Sequence, residues 1–276
     1  MSNPKTIKSL FEIINKYDLF LIDQWGVIHD GKKGYPHAIK CVEKLIQYKK
    51  KLIIISNSSK RKKTTVNRLP KLGFNKSDFI EVMTSGEMIW EELNLKLFNF
   101  TKNLGNNCFH ITYSNEEDGY RYEKGLKYNF VKNIENADFI LGCTTSPKLK
   151  ILDYIPILEK GIANKLPFVC ANPDFETVDS SNKLIICMGT IAELYKNFGG
   201  KVYIMGKPSK HIYKTATKKI PNIKKTKILA IGDSIYHDIK GAISFGIDSL
   251  LITSGIHSDC FDQKTPKWET KQNTLI

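Results

Sequence analysis

The chain has 276 residues, 41% of them apolar, and a formal net charge of +14 at pH 7. That is length enough for one large domain or two smaller ones with a substantial core. No stretch approaches the ~20 apolar residues of a membrane span, so no membrane association is expected. Met1 to Lys16 is mixed and broken by charge, without a hydrophobic signal region, and a cytoplasmic location is the expectation. Cysteines 41, 108, 143, 170, 187 and 260 are scattered with no Cys-x-x-Cys pair. A disulfide framework or a zinc site is therefore not expected, and buried free thiols are. The lysines are spread along the whole chain beside abundant Asn and Ile, a global bias rather than a basic stripe, so nucleic acid is not the expected partner. Two clusters stand out, Lys49-Lys50-Lys51 and Lys60-Arg61-Lys62-Lys63. Each reads as a solvated helix end, and the second could also raise the local concentration of an anionic substrate.

In chain order, residues 1–18 read as a leading helix, with Leu10, Phe11, Ile13 and Ile14 as its apolar stripe. Leu19-Phe20-Leu21-Ile22 is a buried-strand pattern that ends on Asp23-Gln24-Trp25-Gly26. Ala38–Tyr48 shows helical spacing. Leu52-Ile53-Ile54-Ile55 is a second strand, ending on Ser56-Asn57-Ser58-Ser59. Thr64–Leu72 reads as a short helix stopped by Gly73. Ile89–Leu97 is helical again, and Cys108–Thr112, Phe139–Leu141 and Phe168–Cys170 are strand candidates with helical stretches between them. Val202-Tyr203-Ile204-Met205 is a strand ending on Gly206-Lys207-Pro208. Ile228-Leu229-Ala230-Ile231 is another, ending on Gly232-Asp233-Ser234, with Asp238 opening the next helix. From Ser258 onward the tail is polar and is expected to be poorly ordered. Strand–helix alternation implies parallel sheets with right-handed crossovers.

Four strands thus end on chemistry-bearing residues: Asp23, Ser56, Lys207 and the pair Asp233 and Asp238. Open α/β sheets build their sites at such carboxyl ends. Paired carboxylates without a His or Cys cluster suit Mg²⁺ better than zinc. Further short runs accompany them: Thr84-Ser85-Gly86, Asn172-Pro173-Asp174, Gly189-Thr190-Ile191-Ala192-Glu193-Leu194-Tyr195 and Gly246-Ile247-Asp248 through Gly255. In this order the set resembles the haloacid dehalogenase (HAD) superfamily of hydrolases, and its spacing resembles the class IIA members, over most of the chain.

The resemblance implies a Rossmann-like parallel-sheet core, residues 1–83 and 201–276, with an inserted α/β cap of type C2, residues 84–200. It implies a phosphatase of small phosphorylated metabolites in which Asp23 is the nucleophile and Ser56 holds a phosphoryl oxygen. Lys207 would offset charge, and Asn57, Asn172 and Asp174 would contact substrate. Mg²⁺ would be held by Asp23, Asp233, Asp238 and the backbone carbonyl of Trp25. A homodimer through the cap is compatible with the family. One departure is costly: the family's phosphatases carry Asp-x-Asp, and the second Asp, which protonates the leaving oxygen, is here Trp25. An indole N–H donates only and does not titrate usefully. Three readings stay open. Another group, among them His29, Asp30, Asn172 and Asp174, supplies the proton; or the chemistry is that of a dehalogenase, which needs no acid; or the protein binds a phosphorylated ligand as a sensor or partner without turnover.

Overall fold

A computed structural model describes residues 5–113, 122–178, 184–258 and 273–275. In chain order its strands and helices are β1 (Lys5–Ile7), β2 (Leu19–Ile22), α1 (Pro36–Gln47), β3 (Lys51–Ser56), α2 (Lys62–Arg68), β4 (Glu81–Thr84), α3 (Ser85–Leu95) and α4 (Asn99–Lys102). They continue with β5 (Asn107–Ile111), β6 (Asn129–Val131), β7 (Phe139–Gly142), α5 (Ile151–Ala163), β8 (Phe168–Cys170), β9 (Glu176–Val178), β10 (Leu184–Ile186) and α6 (Met188–Asn197). The last are β11 (Val202–Ile204), α7 (Lys210–Thr217), β12 (Ile228–Gly232), α8 (Lys240–Phe245), β13 (Asp248–Ile252) and β14 (Asn273–Leu275).

The first sheet has the order β1-β14-β13-β12-β2-β3-β4. Its five strands β13, β12, β2, β3 and β4 run parallel, and β14 and β1 add antiparallel pairs at one edge. The second sheet, β11-β8-β7-β5-β6, is wholly parallel. The central strands β2, β3 and β12 of the first sheet and β7 and β8 of the second are the buried, largely apolar kind that crossovers produce. In β2 the side chains alternate: Leu19 and Leu21 join one core while Phe20 and Ile22 join the other, under Leu45, Leu69 and Phe74. The first of these cores continues through Ile89 and Leu93 of α3 to Cys108, Phe139 and Val169 of the second sheet. The two sheets thus share apolar packing.

The α/β fold expected from the strand–helix alternation is present. Three details differ. Lys5–Ile7 is a strand, and the stripe Leu10 and Ile14 is buried by two short 3₁₀ turns, Leu10–Glu12 and Ile14–Lys16, where one helix was expected. Ser9 and Glu12 form a reciprocal capping box that opens the first turn, Ile13 leaves helical geometry with φ −119° and ends it, and pairing with residues 273–275 keeps Lys5–Ile7 extended. Those three residues lie in the tail expected to be poorly ordered; they gain order from pairing with β13 as well. Val202–Ile204, counted with residues 201–276 of the first unit, is instead the edge strand of the second sheet, beside β8. Cys41, Cys108, Cys143, Cys170 and Cys187 are free thiols, and Cys260 lies outside the described residues. Among the described residues no helix is long and apolar enough to cross a membrane.

Ile54 of β3 is fully buried in the core under α1, whereas Ile243 of α8 is 45% exposed. Ile54→Ala should cost ~2–5 kcal/mol in urea denaturation, and Ile243→Ala should cost well under ~1 kcal/mol.

Candidate active site

Adjacent parallel strands stop at the same level, so the residues just past their ends are brought together. Register places Ile22 beside both Ile231 and Ile54, and the Asp23 amide still donates to the Ile231 carbonyl at 2.9 Å. Asp23, Asp233 and Ser56 therefore leave the sheet side by side. Asp238 enters on a single π-helical turn, Ile235–Ile239, closed by Ser234 as N-cap. Lys207 comes from beyond the edge of the other sheet, through Met205 and Gly206 after β11.

Lys207 is 2% exposed, and its Nζ lies 2.7 Å from Asp23 Oδ1 and 2.7 Å from Asp238 Oδ1. Burial by itself would lower its pKa, yet the two carboxylates hold it well above the ordinary lysine value. Asp238 Oδ2 also accepts the Ser234 amide at 3.1 Å, and Asp233 Oδ2 accepts the Ile256 amide at 3.0 Å. Two glycines make room for Asp233: a Cβ on Gly26, whose φ is +79°, would lie 2.1 Å from Asp233 Oδ2, and one on Gly255 would lie 2.0 Å away.

Asp23, Asp233 and Asp238 each offer an oxygen within 4.8 Å of the others, and all three are buried. Burial, together with the other carboxylates, raises Asp23 above the ordinary carboxylate range against the pull of Lys207. The same burial, with Asp238, pushes Asp233 up to about 7. Three carboxylates against one ammonium leave two negative charges in a water-poor site. A hard divalent cation with oxygen ligands fits that donor set.

Beside this cluster opens a cleft of about 200 Å³, lined by Trp25, Ser56, Arg68, Asn172 and Asp174 among others. Ser56 is 6% exposed, and its Oγ accepts the Ser58 amide at 3.3 Å. Asn57 was expected to donate to substrate and is committed elsewhere. Its Nδ2 donates to Asp174 Oδ1 (2.8 Å) and to the Lys207 carbonyl (3.0 Å), and its Oδ1 accepts the Lys207 amide (2.7 Å). It therefore clamps Lys207 and ties it to the second unit. Asn172 Oδ1 accepts the Asp174 amide at 3.1 Å, which sets the turn after β8. Trp25 is 37% exposed, and its indole lies over Gly31, where a Cβ would come within 2.1 Å of the ring.

The two nearby candidates for the missing acid are engaged in contacts of their own loop. His29 is 4% exposed, and its Nδ1 accepts the Gly31 amide at 3.0 Å, leaving the ring proton on Nε2. Burial first, and the Arg68 charge second, push its pKa down to about 4. Asp30 Oδ1 accepts the amides of Lys32 and Lys33, both at 2.8 Å, which holds its carboxyl below the ordinary range. Of the described residues lining the cleft, Asp174 is the one carboxylate.

Two residues were missed by sequence reasoning. His237 is buried inside the Asp233–Asp238 run; its Nε2 donates to the Pro173 carbonyl at 3.0 Å, and its Nδ1 lies 3.5 Å from Asp174 Oδ1. Its position within a ligand-bearing run was the available signal. Arg68 stands in the cleft wall, and its rarity among so many lysines was the signal there.

An aspartate, a serine and an acidic pair at one carboxyl edge of a parallel sheet, with a buried lysine brought in from the other sheet, define an α/β site whose oxygen ligands suit a cation. Residues 20–118 match the family described as haloacid dehalogenase-like hydrolase, and residues 204–272 match a HAD-hydrolase-like family. A haloacid dehalogenase-like hydrolase from Brucella suis 1330 is 28% identical, with a TM-score of 0.80 over 91% of each chain. The glycerol phosphate phosphatase of Mycobacterium tuberculosis, solved in complex with magnesium, is 21% identical with a TM-score of 0.65 over 88% of this chain and 70% of that one. A dihydroxyacetone phosphatase of Corynebacterium glutamicum (strain R) is 29% identical over 100 residues, and the match spans 36% of each protein. The chain carries haloacid dehalogenase-like hydrolase domains over these two segments, and it shares its fold with the structures named here.

His29 gives a pH prediction. Its folded pKa, about 4, lies below the ordinary 6.5. Below pH ~6.5 the unfolded chain takes a proton that the folded chain refuses until pH ~4. Stability is thus fully present above pH ~6.5 and is lost as pH falls through that window, by roughly 3 kcal/mol. His29→Asn, which keeps an acceptor for Gly31, should flatten this slope when denaturation is compared at pH 7 and pH 4.5.

Proposed function

We propose that the protein is a divalent-cation-dependent phosphatase of small phosphate monoesters, acting through an aspartyl-phosphate at Asp23. The observation that carries this is the buried set at the edge of the central strands: Asp23 and Asp238 on the Lys207 ammonium, with Asp233 alongside. The phosphatase names of the relatives support it. Asp23, Asp233, Asp238 and the Trp25 carbonyl would hold the cation, Mg²⁺ by donor type. When bound, the cation would neutralise phosphoryl charge and the carboxylates' mutual repulsion.

The chain's own residues do the rest. Asp23 forms a bond to phosphorus as the ester P–O bond breaks, and water later cleaves the aspartyl-phosphate to inorganic phosphate, restoring the carboxylate. Lys207 fixes Asp23 Oδ1 and spreads positive charge toward the phosphoryl group. Ser56 Oγ has its own O–H to donate to a phosphoryl oxygen. Asn57 contributes by fixing Lys207, and the second unit, as a cap, narrows the cleft and excludes water. With Trp25 in the acid's place and His29 neutral, leaving groups that depart without a proton are handled best.

Phosphate release from p-nitrophenyl phosphate and a panel of alkyl monophosphates, with Mg²⁺ and with chelator, tests the reading. Activity should vanish in chelator, and Asp23→Asn should lose at least ~10³-fold, as removal of a nucleophile does. Activity that ignores both would sink the proposal. Trp25→Asp should raise turnover of alkyl esters by ~10²-fold, the lower part of what a general acid contributes, and change the p-nitrophenyl rate far less. If wild-type protein already hydrolyses both ester kinds equally, a proton is supplied from elsewhere, and Asp174→Asn is the variant that should abolish the alkyl activity.

A further inference from the structure

Arginine is scarce in this chain: three of its 42 basic residues, at positions 61, 68 and 121. Arg61 pairs with Glu87 at 2.6 Å and stacks on Trp90. Arg68, at the end of α2, is different. It is half-buried and lines the same cleft as Ser56 and Trp25. Its single hydrogen bond runs from Nη2 to the Gly31 carbonyl at 2.8 Å, and among the described residues no carboxylate lies within ion-pair distance. The acid closest in sequence to that contact, Asp30, is taken up by the Lys32 and Lys33 amides.

The loop is shaped to hold the guanidinium there. His29 Nδ1 accepts the Gly31 amide, Arg68 donates to the Gly31 carbonyl, and the Trp25 ring covers Gly31 from the other side. One glycine with φ +87° thereby fixes an indole, an imidazole and a guanidinium in a single wall. A guanidinium offers five donors in a planar fork, and one of them is used here. A charge half removed from water without a counter-ion is costly unless a ligand supplies one. Lysine, which the chain uses almost everywhere else, cannot offer the same planar, bidentate fit to an anion.

We infer that Arg68 is a second anion subsite, so that the substrate is a small phosphate ester whose leaving group carries another anionic group, a carboxylate or a second phosphate. This rests on the phosphatase reading for the word substrate; the anion subsite itself does not. Trp25 packs beside the same site and offers an apolar face to the ligand's carbon frame.

The test uses the full chain and two readouts. In the first, kcat/KM is compared for carboxyphenyl phosphates (the ortho, meta and para isomers) and their carbamoyl counterparts, which differ by one charge. Wild type should prefer at least one charged isomer by about 10- to 100-fold, the range for a hydrogen bond to a charged group. Arg68→Gln should erase that ratio, and Arg68→Lys should retain part of it. In the second readout, phosphonoacetate and methylenediphosphonate should raise the Tm of wild type more than methylphosphonate does, and Arg68→Gln should remove the difference. The better of the two ligands identifies the second group. If no ester is hydrolysed but the Tm difference appears and depends on Arg68, the subsite stands and the phosphatase reading falls. If esters are hydrolysed with no charge preference in either readout, the subsite falls and the phosphatase reading stands. Equal losses on charged and neutral esters in both variants, with normal melting, would also overturn it, because Arg68 would then serve the common phosphoryl group or the loop alone.

Discussion

Lys207 sits almost completely out of water with one carboxylate on each side, and the site is organised around that ammonium. Burying an ion pair is expensive, and the attraction repays the desolvation only when geometry is good and remaining polar atoms are satisfied. Both conditions hold: the two contacts are 2.7 Å, and the other Asp238 oxygen takes a backbone amide from its own turn. Asp233 adds a third carboxylate that the ammonium cannot neutralise. The result is a pocket with excess negative charge at its floor, which raises the pKa of Asp233 and Asp23. Glycines 26 and 255 are needed because any side chain would occupy the space of Asp233 itself.

The same lysine couples the two sheets. It lies just past the edge strand of the second sheet, and its carboxylate partners lie just past central strands of the first. Asn57 makes the coupling specific, because one amide side chain bonds both polar groups of the Lys207 backbone and the carboxylate of Asp174. His237 repeats the link from the other flank through Pro173. Apolar packing through α3 runs continuously from the first sheet to the second. A shift of the second unit would therefore be felt at Lys207, whose ammonium has no slack between two short contacts.

The loop after β2 is built around an indole. Where the family resemblance implies a carboxylate, this chain has Trp25, and its surroundings fit the ring: a glycine beneath it, and a buried imidazole 5.7 Å away, edge to face. The buried acidic cluster and the cleft wall are thus separately built, the first from strand ends and the second from a loop and the end of α2.

Much of this was legible in the sequence because it is local. Continuous apolar runs of four residues ending on Asp23, Ser56 and Asp233 read as buried strands with polar ends, and parallel register brings such ends together. The mismatch at Trp25 was likewise readable from one position. What the sequence alone could not decide depends on contacts between distant segments. Asn57 is a clamp rather than a substrate donor because residues 174 and 207 arrive beside it, more than a hundred positions away. Val202–Ile204 belongs to the second sheet because Phe168–Cys170 offers an open parallel edge, a pairing that no periodicity encodes. Residues 5–7 and 273–275 are strands only because each finds the other, and that pairing outweighs the helical spacing and polar composition from which their local states were read. The protonation states of His29 and Asp233 are set by burial and neighbouring charge, so they exist only in the folded chain.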